Sequence, residues 1–356
     1  MKIAIVHDWL LNLGGAERVL VALHRIFPDA PIYTLFYDKL FTNNYLPGVV
    51  IIPSFCQKLP FIRKIYPYIS LIFPTAIESL DFSEFDIVLS SSAIFSKGVI
   101  LKPRTKHVCY CYSPTRFLWD LNSSYTRTGL LANLYKHFLR IWDRSATLRV
   151  DKYIAISKNV RDRISKYYRR DAVVIYPPAT IMAKPTVDTQ FKNYYLIVSR
   201  LYKYKNIDMV IDVFNKLEYP LIIVGDGPDY KRLSKMACSN VAMLGFVNDK
   251  LLPTYYANCR AFIMAQDEDF GLTPIEAMTF GKPVLALRKG GAVEIVIEGK
   301  NGEFFDDPIP EAIADGVRRL EENYSKYDRE YIIKSTNKYS FDEFKKSILR
   351  EIYVNI

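Results

Sequence analysis

The sequence is short of several things, and each shortage removes a class of protein. No run in its 356 residues approaches the roughly 20 consecutive apolar residues that a membrane-crossing helix needs. Its opening, "MKIAIVHDWL", meets charge too soon for a secretory leader and reads as a first strand, so a cytoplasmic protein is expected. The five cysteines, at 56, 109, 111, 238 and 259, follow no disulfide-framework spacing. His107, Cys109 and Cys111 alternate in "KHVCYC", which puts all three on one face of a strand. No second ligand cluster accompanies them, and short buried strands often carry cysteine, so no metal is expected there. Short-period repeats and low-complexity tracts are absent, which excludes solenoids and disordered arrays. No nucleic-acid module accompanies the positive charge, and nucleic acid is not expected as a partner.

What is present is an ordinary soluble composition, with 50% hydrophobic and 24% charged residues. The length exceeds one ordinary core and fits two domains of roughly 150 residues each. The net charge of +10 is unevenly spread. Residues 101–171 hold sixteen Lys/Arg against five Asp/Glu, leaving 32 against 33 elsewhere. The first half therefore carries a basic zone.

Apolar strand-like runs alternate with helical segments almost throughout. The first series is "KIAIVHDW", "PIYTLF", "FDIVLSS", "KHVCYCYS" and "KYIAIS". The second is "AVVIYP", "YYLIVSR", "YPLIIVGDG", "VAMLGF", "RAFIMAQ" and "KPVLAL". Continuous β-branched runs suit parallel strands covered on both faces, and two such series predict an α/β chain of two doubly wound, Rossmann-like domains. The proline-bearing stretch 177–192 is the expected boundary, giving domains at 1–176 and 177–339. The last segment, "SFDEFKKSILREIY", reads as a helix capped by Ser340 with Glu343 at capping-box spacing.

In such sheets ligands bind beyond the C-terminal strand ends, and the distinctive residues cluster there. After the first strand, Gly14 and Gly15 open a helix expected near Ala16. They make either a tight turn or a place where a phosphate or sugar approaches bare amides. The glycine spacing is not that of a dinucleotide fingerprint. After "YYLIVS", Arg200 and Lys205 are either surface charges or a fork and a point charge suited to a diphosphate. In "EDFGLTPIEAMTFGKPVLA", residues 268–286, Thr273, Pro274 and Glu276 fit a capping box. That pattern leaves Asp267, Glu268 and Asp269 unexplained, and Gly271 too. A ligand wall would use them, with Gly271 admitting backbone close to a phosphate.

Together these elements resemble family 4 of the retaining, GT-B-fold glycosyltransferases over nearly the whole chain. The resemblance rests on Gly14-Gly15, Arg200 with Lys205, "VGDGP" at 224–228, and Glu268 and Glu276 framing "DFGLTPI", followed by "GKPVLA" and "GGAVEIV". It implies two domains facing across a cleft, with a nucleotide-sugar donor held mainly by the second. By that likeness Arg200, Lys205 and the amides of Gly271, Leu272 and Thr273 meet the diphosphate, and Phe270 belongs to the donor site. Glu276 meets the ribose, Glu268 the transferred sugar, and the backbone of Phe246 and Val247 the base. Gly15 lies near the phosphates, while Asp8, Gly14 and Arg116 lie on the acceptor side. The last helix, 340–356, packs back on the first domain. "CYCYSPTRFLWD" at 109–120 is similar to bacterial mannosyltransferases of O-antigen and related polysaccharide assembly, which implies GDP-mannose as donor. Tyr112 stands where that pattern has a histidine. A tyrosine hydrogen-bonds but does not titrate near neutral pH, and this bears on donor identity and activity. A UDP-sugar donor and a non-catalytic partner in glycan assembly are the rival readings. The resemblance implies metal-independent chemistry with no cofactor, although "DED" at 267–269 imitates the metal motif of the other glycosyltransferase fold.

Two further segments bear on the acceptor. In residues 130–150 Leu134, Phe138, Ile141 and Leu148 share one helical stripe. With the nearby cations that stripe suits an anionic bilayer. "LPFIRKIYPYISLIFP" at 59–74 reads either as buried core or as an interfacial segment. A glycan or lipid-diphosphate-linked acceptor on the inner face of the plasma membrane fits both signals.

Overall fold

The apolar runs that read as strands are strands. In the computed structural model, which describes residues 1–120, 129–182 and 191–353, they form two parallel sheets. Two units result: Met1–Pro177 together with the chain from Phe344 onward, and Pro178–Glu343.

The first unit's sheet has seven strands in the order β3-β2-β1-β4-β5-β6-β7. They are β1 (Ile3–His7), β2 (Ile32–Thr34), β3 (Ile51–Pro53), β4 (Ile87–Ser92), β5 (Lys106–Cys111), β6 (Lys152–Ala155) and β7 (Ala172–Val174). Every residue of β1 and β4 is buried, as the continuous apolar runs demand. An aromatic cluster fills one side of this core, with Phe36 and Phe73 at 5.8 Å and Phe73 and Phe95 at 5.4 Å between ring centres.

The second unit's sheet runs β10-β9-β8-β11-β12-β13. Its strands are β8 (Tyr194–Val198), β9 (Leu221–Val224), β10 (Val241–Gly245), β11 (Cys259–Met264), β12 (Val284–Leu287) and β13 (Gly302–Phe305). Its core gathers Ile197, Val210, Phe214, Ile263, Leu285 and Val317, among others.

Three strands depart from the expected series. "AVVIYP" was expected in the second half, but its Ala172–Val174 pairs with β6 as the edge of the first sheet. The strands β3 and β13 belong to neither series, although β3 lies in the β-branched run "VVII" at 49–52. One is three residues ending in proline, and the other contains Glu303 and depends on Gly302. A Cβ at Gly302 would stand 2.0 Å from the carbonyl oxygen of Val284, so only glycine lets β13 lie against β12 there.

The chain leaves the second unit through the helix Phe341–Tyr353, where the Ser340 hydroxyl accepts the Glu343 amide at 3.3 Å. Phe344 meets the ring of Tyr110 edge-on at 5.7 Å, and Glu351 pairs with Lys152. Of the 177–192 boundary stretch, residues 183–190 lie outside the described residues.

Each sheet starts in its middle. Strand order reverses between β1 and β4 in one and between β8 and β11 in the other. At such a point two neighbouring strands send their following loops in opposite directions, opening a crevice at the C-terminal edge.

Candidate active site

In the second unit, the loops after β8 and β11 leave the sheet side by side. Asn206, in the left-handed region at φ 55°, donates its side-chain amide to the Ala265 carbonyl at 2.9 Å and ties the loops together. Lys205 then forms an ion pair with Glu268, and Gln266 donates to the same carboxylate at 3.3 Å. Lys205 is nearly buried, whereas the Glu268 side chain is 28% exposed and faces outward. Arg200 is exposed, and among the described residues its guanidinium has no hydrogen-bond or ion-pair partner.

Glycines press the backbone of both loops into place. A Cβ at Gly225 would lie 1.8 Å from the Ser199 carbonyl oxygen, and one at Gly227 would lie 2.4 Å from that of Leu201. Gly290 and Gly291 do the same on the acidic side, each 2.2 Å from the carbonyl oxygens of Glu268 and Phe270 respectively. The Gly291 amide also donates to the Glu268 carbonyl at 2.8 Å. "VGDGP" and "GGAVEIV" are thus the clamps of the site, and side chains larger than hydrogen would push the loops apart.

The helix Leu272–Thr279 corrects the capping-box expectation. Its cap is Gly271, at φ 109°, not Thr273, and Pro274 falls two positions further in. Glycine reaches that φ without strain, so the helix starts early and needs no side-chain cap. The first-turn amides remain donors without intrahelical partners. Glu276 turns inward, 3% exposed, where Oε1 accepts the Thr180 hydroxyl at 2.7 Å and Oε2 accepts that of Tyr256 at 2.9 Å.

In the first unit, the loops after β1 and β4 meet in the same way. Asp8 is 2% exposed and accepts four backbone amides, those of Ala93 and Ile94 at 2.9 Å and those of Phe95 and Ser96 at 2.7 Å. His7 Nδ1 lies 2.9 Å from the Ser91 carbonyl and 3.0 Å from its hydroxyl. A carbonyl only accepts, so Nδ1 carries a proton. Tyr112 donates to the Ala16 carbonyl at 2.9 Å, so it accepts from the Ser91 hydroxyl at 2.7 Å. His7 Nε2 faces Glu17 Oε1 at 3.7 Å, and Glu17 Oε2 accepts the Gly14 amide at 2.8 Å. The ring of contacts closes around the Gly14–Gly15 turn. Burial pushes the Tyr112 phenol further up from its ordinary range, so it stays protonated.

The two-sheet fold is shared with solved structures. The Anabaena HepE protein, solved with UDP and glucose, has the same fold at a TM-score of 0.73 and 17% identity, with 99% of each chain covered. WaaG, a glycosyltransferase involved in lipopolysaccharide biosynthesis, gives 0.70 at 15% identity over 99% of this chain and 100% of its own. Residues 13–180 match the family described as Glycosyltransferase Family 4, and residues 181–338 match Glycosyl transferases group 1. The chain is a GT-B glycosyltransferase. An uncharacterized glycosyltransferase of Methanocaldococcus jannaschii is 26% identical over 91% of this chain and 89% of its own. An alpha-1,3/1,6-mannosyltransferase of Schizosaccharomyces pombe is 23% identical over 85% and 70%.

Within this glycosyltransferase, Lys205 and Glu268 meet directly, and the loops that carry them adjoin the strand-end turns bearing Arg200 and Gly271. Leu272 and Thr273 are half-exposed at the helix start. Phe246 is 76% exposed just past β10, next to the half-exposed Val247. Phe270 does not offer its ring to a ligand: it is buried edge-on against Tyr339 at 5.6 Å. Asp8 likewise is not an open acceptor-side group, because four amides consume its carboxylate. Gly14 presents no bare amide, since Glu17 occupies it, and the helix begins at Gly15 rather than Ala16. Arg116 stands on the short helix Arg116–Trp119, 3.9 Å from Asp120, which also pairs with Arg163 at 2.7 Å.

His7, Ser91, Thr180, Tyr256, Gln266 and the Gly290–Gly291 pair were not singled out as site residues. Glu17 had a readable signal, standing three residues after Gly14 at capping-box spacing. Thr180 and Tyr256 had none, because a single hydroxyl reaching Glu276 leaves no spacing in the chain. Thr115 and Trp119 of "SPTRFLWD" turn out to serve packing. Both donate to Asp143 at 2.7 Å, and Asp143 pairs with the fully buried Lys97 at 2.6 Å. Burial pulls the Lys97 ammonium down and Asp143 more than restores it, so the lysine stays charged.

Proposed function

We propose that this glycosyltransferase transfers mannose from GDP-mannose, with retention, to a lipid-linked glycan. The observation that carries the reading is the second unit's crevice, where Arg200, without a partner among the described residues, the Lys205–Glu268 pair and the helix start at Gly271 stand at adjoining strand ends. The donor's anomeric C–O bond breaks, and its electron pair leaves on the diphosphate. Arg200, Lys205 and the amides of Leu272 and Thr273 then stabilise the added negative charge, as preorganised donors do. Binding draws Lys205 toward the diphosphate and frees Glu268 for the sugar hydroxyls. Glu276, held by Thr180 and Tyr256, receives the ribose, and the base lies along Phe246 and Val247. The acceptor hydroxyl attacks the face that the leaving phosphate vacates and passes its proton to that phosphate. The charge compensation comes from the chain's own cations, so the reaction proceeds without a bound metal, and chelator leaves turnover unchanged.

Mannose is favoured by the mannosyltransferases among the relatives, which match 85% and 83% of this chain. A UDP-sugar is the second reading, favoured by the fold neighbours solved with UDP. Thermal melting with GDP, GDP-mannose, UDP and UDP-sugars decides between them. A nucleotide at about a hundred times its Kd adds roughly 2.7 kcal/mol of stability. Stabilisation by GDP species alone, lost in Glu276→Ala, supports mannose transfer. Stabilisation by UDP species alone replaces the donor. Stabilisation by neither removes the site reading and leaves a non-catalytic role in glycan assembly.

A further inference from the structure

The helix Leu130–Ala146 buries Leu139, Asp143 and Ala146 against the first unit, yet its outer face is apolar as well. Leu134, Phe138 and Ile141 are 50%, 58% and 56% exposed along one line, which Leu148 continues at 71%. At the start of the helix Leu130 and Leu131 are 86% and 83% exposed. A helix on the surface of a soluble domain turns one apolar stripe inward and polar residues outward. This one carries an exposed apolar stripe as well, beside the exposed Asn133 and His137. Tyr135 hydrogen-bonds Ser70, which joins the helix to the segment 61–72, where Phe61, Tyr68 and Leu71 are 76%, 67% and 51% exposed.

The charge around this face has one sign. The sequence holds no acidic residue from 39 to 77 or from 121 to 142. Lys58, Arg63, Lys64, Lys136 and Arg140 all fall within those two stretches. The acids at their borders are each paired with a cation: Asp38 with Arg63, Glu78 with Arg149, Asp120 with Arg163 and Asp143 with Lys97.

We infer that this face docks the first unit onto an anionic lipid surface. The apolar side chains insert among acyl chains while the basic rim meets lipid phosphates, the arrangement of an interfacial helix. A second copy of the chain is a poor occupant, because it would set one basic rim against another. No helix among the described residues is long and apolar enough to cross a membrane. The inference deepens the proposed function and rests on its lipid-linked acceptor, which such docking would bring to the first unit.

The test is co-sedimentation with vesicles of phosphatidylcholine alone or with about one third phosphatidylglycerol, without any sugar donor. Wild type is expected to pellet with the anionic vesicles at low salt and to be released at high salt. The triple variant Leu134→Ser, Phe138→Ser, Ile141→Ser is expected to bind at least about tenfold more weakly. Its melting temperature should be unchanged, because all three side chains are exposed. Should that variant melt early, Lys64→Glu with Lys136→Glu replaces it, and weaker binding to anionic vesicles alone is the expected result. Wild type left in the supernatant overturns the inference, as does a variant that pellets like wild type. A wild-type dimer in solution that the triple variant splits also overturns it, assigning the face to a second copy. Nucleotide melting shifts need no vesicles, so failure of the donor reading and failure of docking are seen separately.

Discussion

The two crevices sit at the same topological position and are chemically opposite. In the first unit, Asp8 is spent on four amides, Glu17 closes the Gly14 amide, and the His7–Ser91–Tyr112 chain ends on the Ala16 carbonyl. That switch point satisfies itself. In the second unit, Arg200 has no partner among the described residues, and Lys205 and Glu268 hold each other in a pair that a substrate can exchange. A phosphate offered to both would find the donors of one already taken. An α/β switch point is therefore a place for a site, not a site. Which crevice binds is decided by how many of its polar groups the fold has left over.

The largest effect is expected at Arg200. Replacing it by alanine should lower the turnover of donor by about 10²- to 10³-fold, the usual cost of one preorganised charge donor. The melting temperature should not move, because the exposed guanidinium holds nothing in the folded chain. Steady-state kinetics and thermal melting on the same preparation check both. Asp8→Ala should do the reverse. Four amides lose a buried ionised acceptor, and stability should fall by at least about 3 kcal/mol in denaturant titration. If Asp8→Ala melts like wild type and loses activity instead, the first crevice is not self-satisfied and the contrast fails.

Acid acts on a buried histidine of the first unit. His107 sits in β5 with Nε2 2.8 Å from the Ser90 hydroxyl and Nδ1 3.2 Å from the Arg149 carbonyl. The carbonyl accepts a hydrogen bond from Nδ1–H, so in the neutral ring Nε2 is the acceptor. Burial holds its pKa down to about 4 against an ordinary 6.5. Because the unfolded chain takes up this proton first, the stabilisation is complete above pH 6.5 and is lost as pH falls toward 4, about 3 kcal/mol in all. Denaturation midpoints across that window should fall less steeply in His107→Gln than in wild type. The smallest effect is expected at Tyr112. Removing its hydroxyl in Tyr112→Phe should cost about 1 kcal/mol of stability and change turnover less than tenfold. A loss of turnover as large as that of Arg200→Ala would return Tyr112 to the reacting atoms.

Much of this was legible in the chain. Eleven apolar runs pointed to two doubly wound sheets, and ten of them belong to the series in which they were placed. Ala172–Val174 went astray because an edge strand and a first strand look alike to the eye that reads hydrophobicity. The second unit's motif residues were legible because glycines and charges at strand ends carry chemical meaning in isolation. What the chain hid was occupancy. Nothing in "HDW" announces that Asp8 is consumed by amides eighty-odd residues away. Nor does "TPIE" reveal that Gly271 takes over the cap and releases Glu276 to Thr180 and Tyr256. Spacing shows which groups a segment owns, while the long-range partners decide which of them remain available.

The helix Phe341–Tyr353 gives the molecule a border in space that the gene does not have. A fragment ending at Pro177 carries all seven strands of the first sheet but leaves Tyr110 without Phe344 and Lys152 without Glu351. Anything fused after the last residue hangs from the first unit, although it follows the second in the message. Exchange of donor units between related chains must therefore be made with two cuts, one before Pro178 and one near Glu343, and a swap at a single junction would leave one unit wearing the other's final helix.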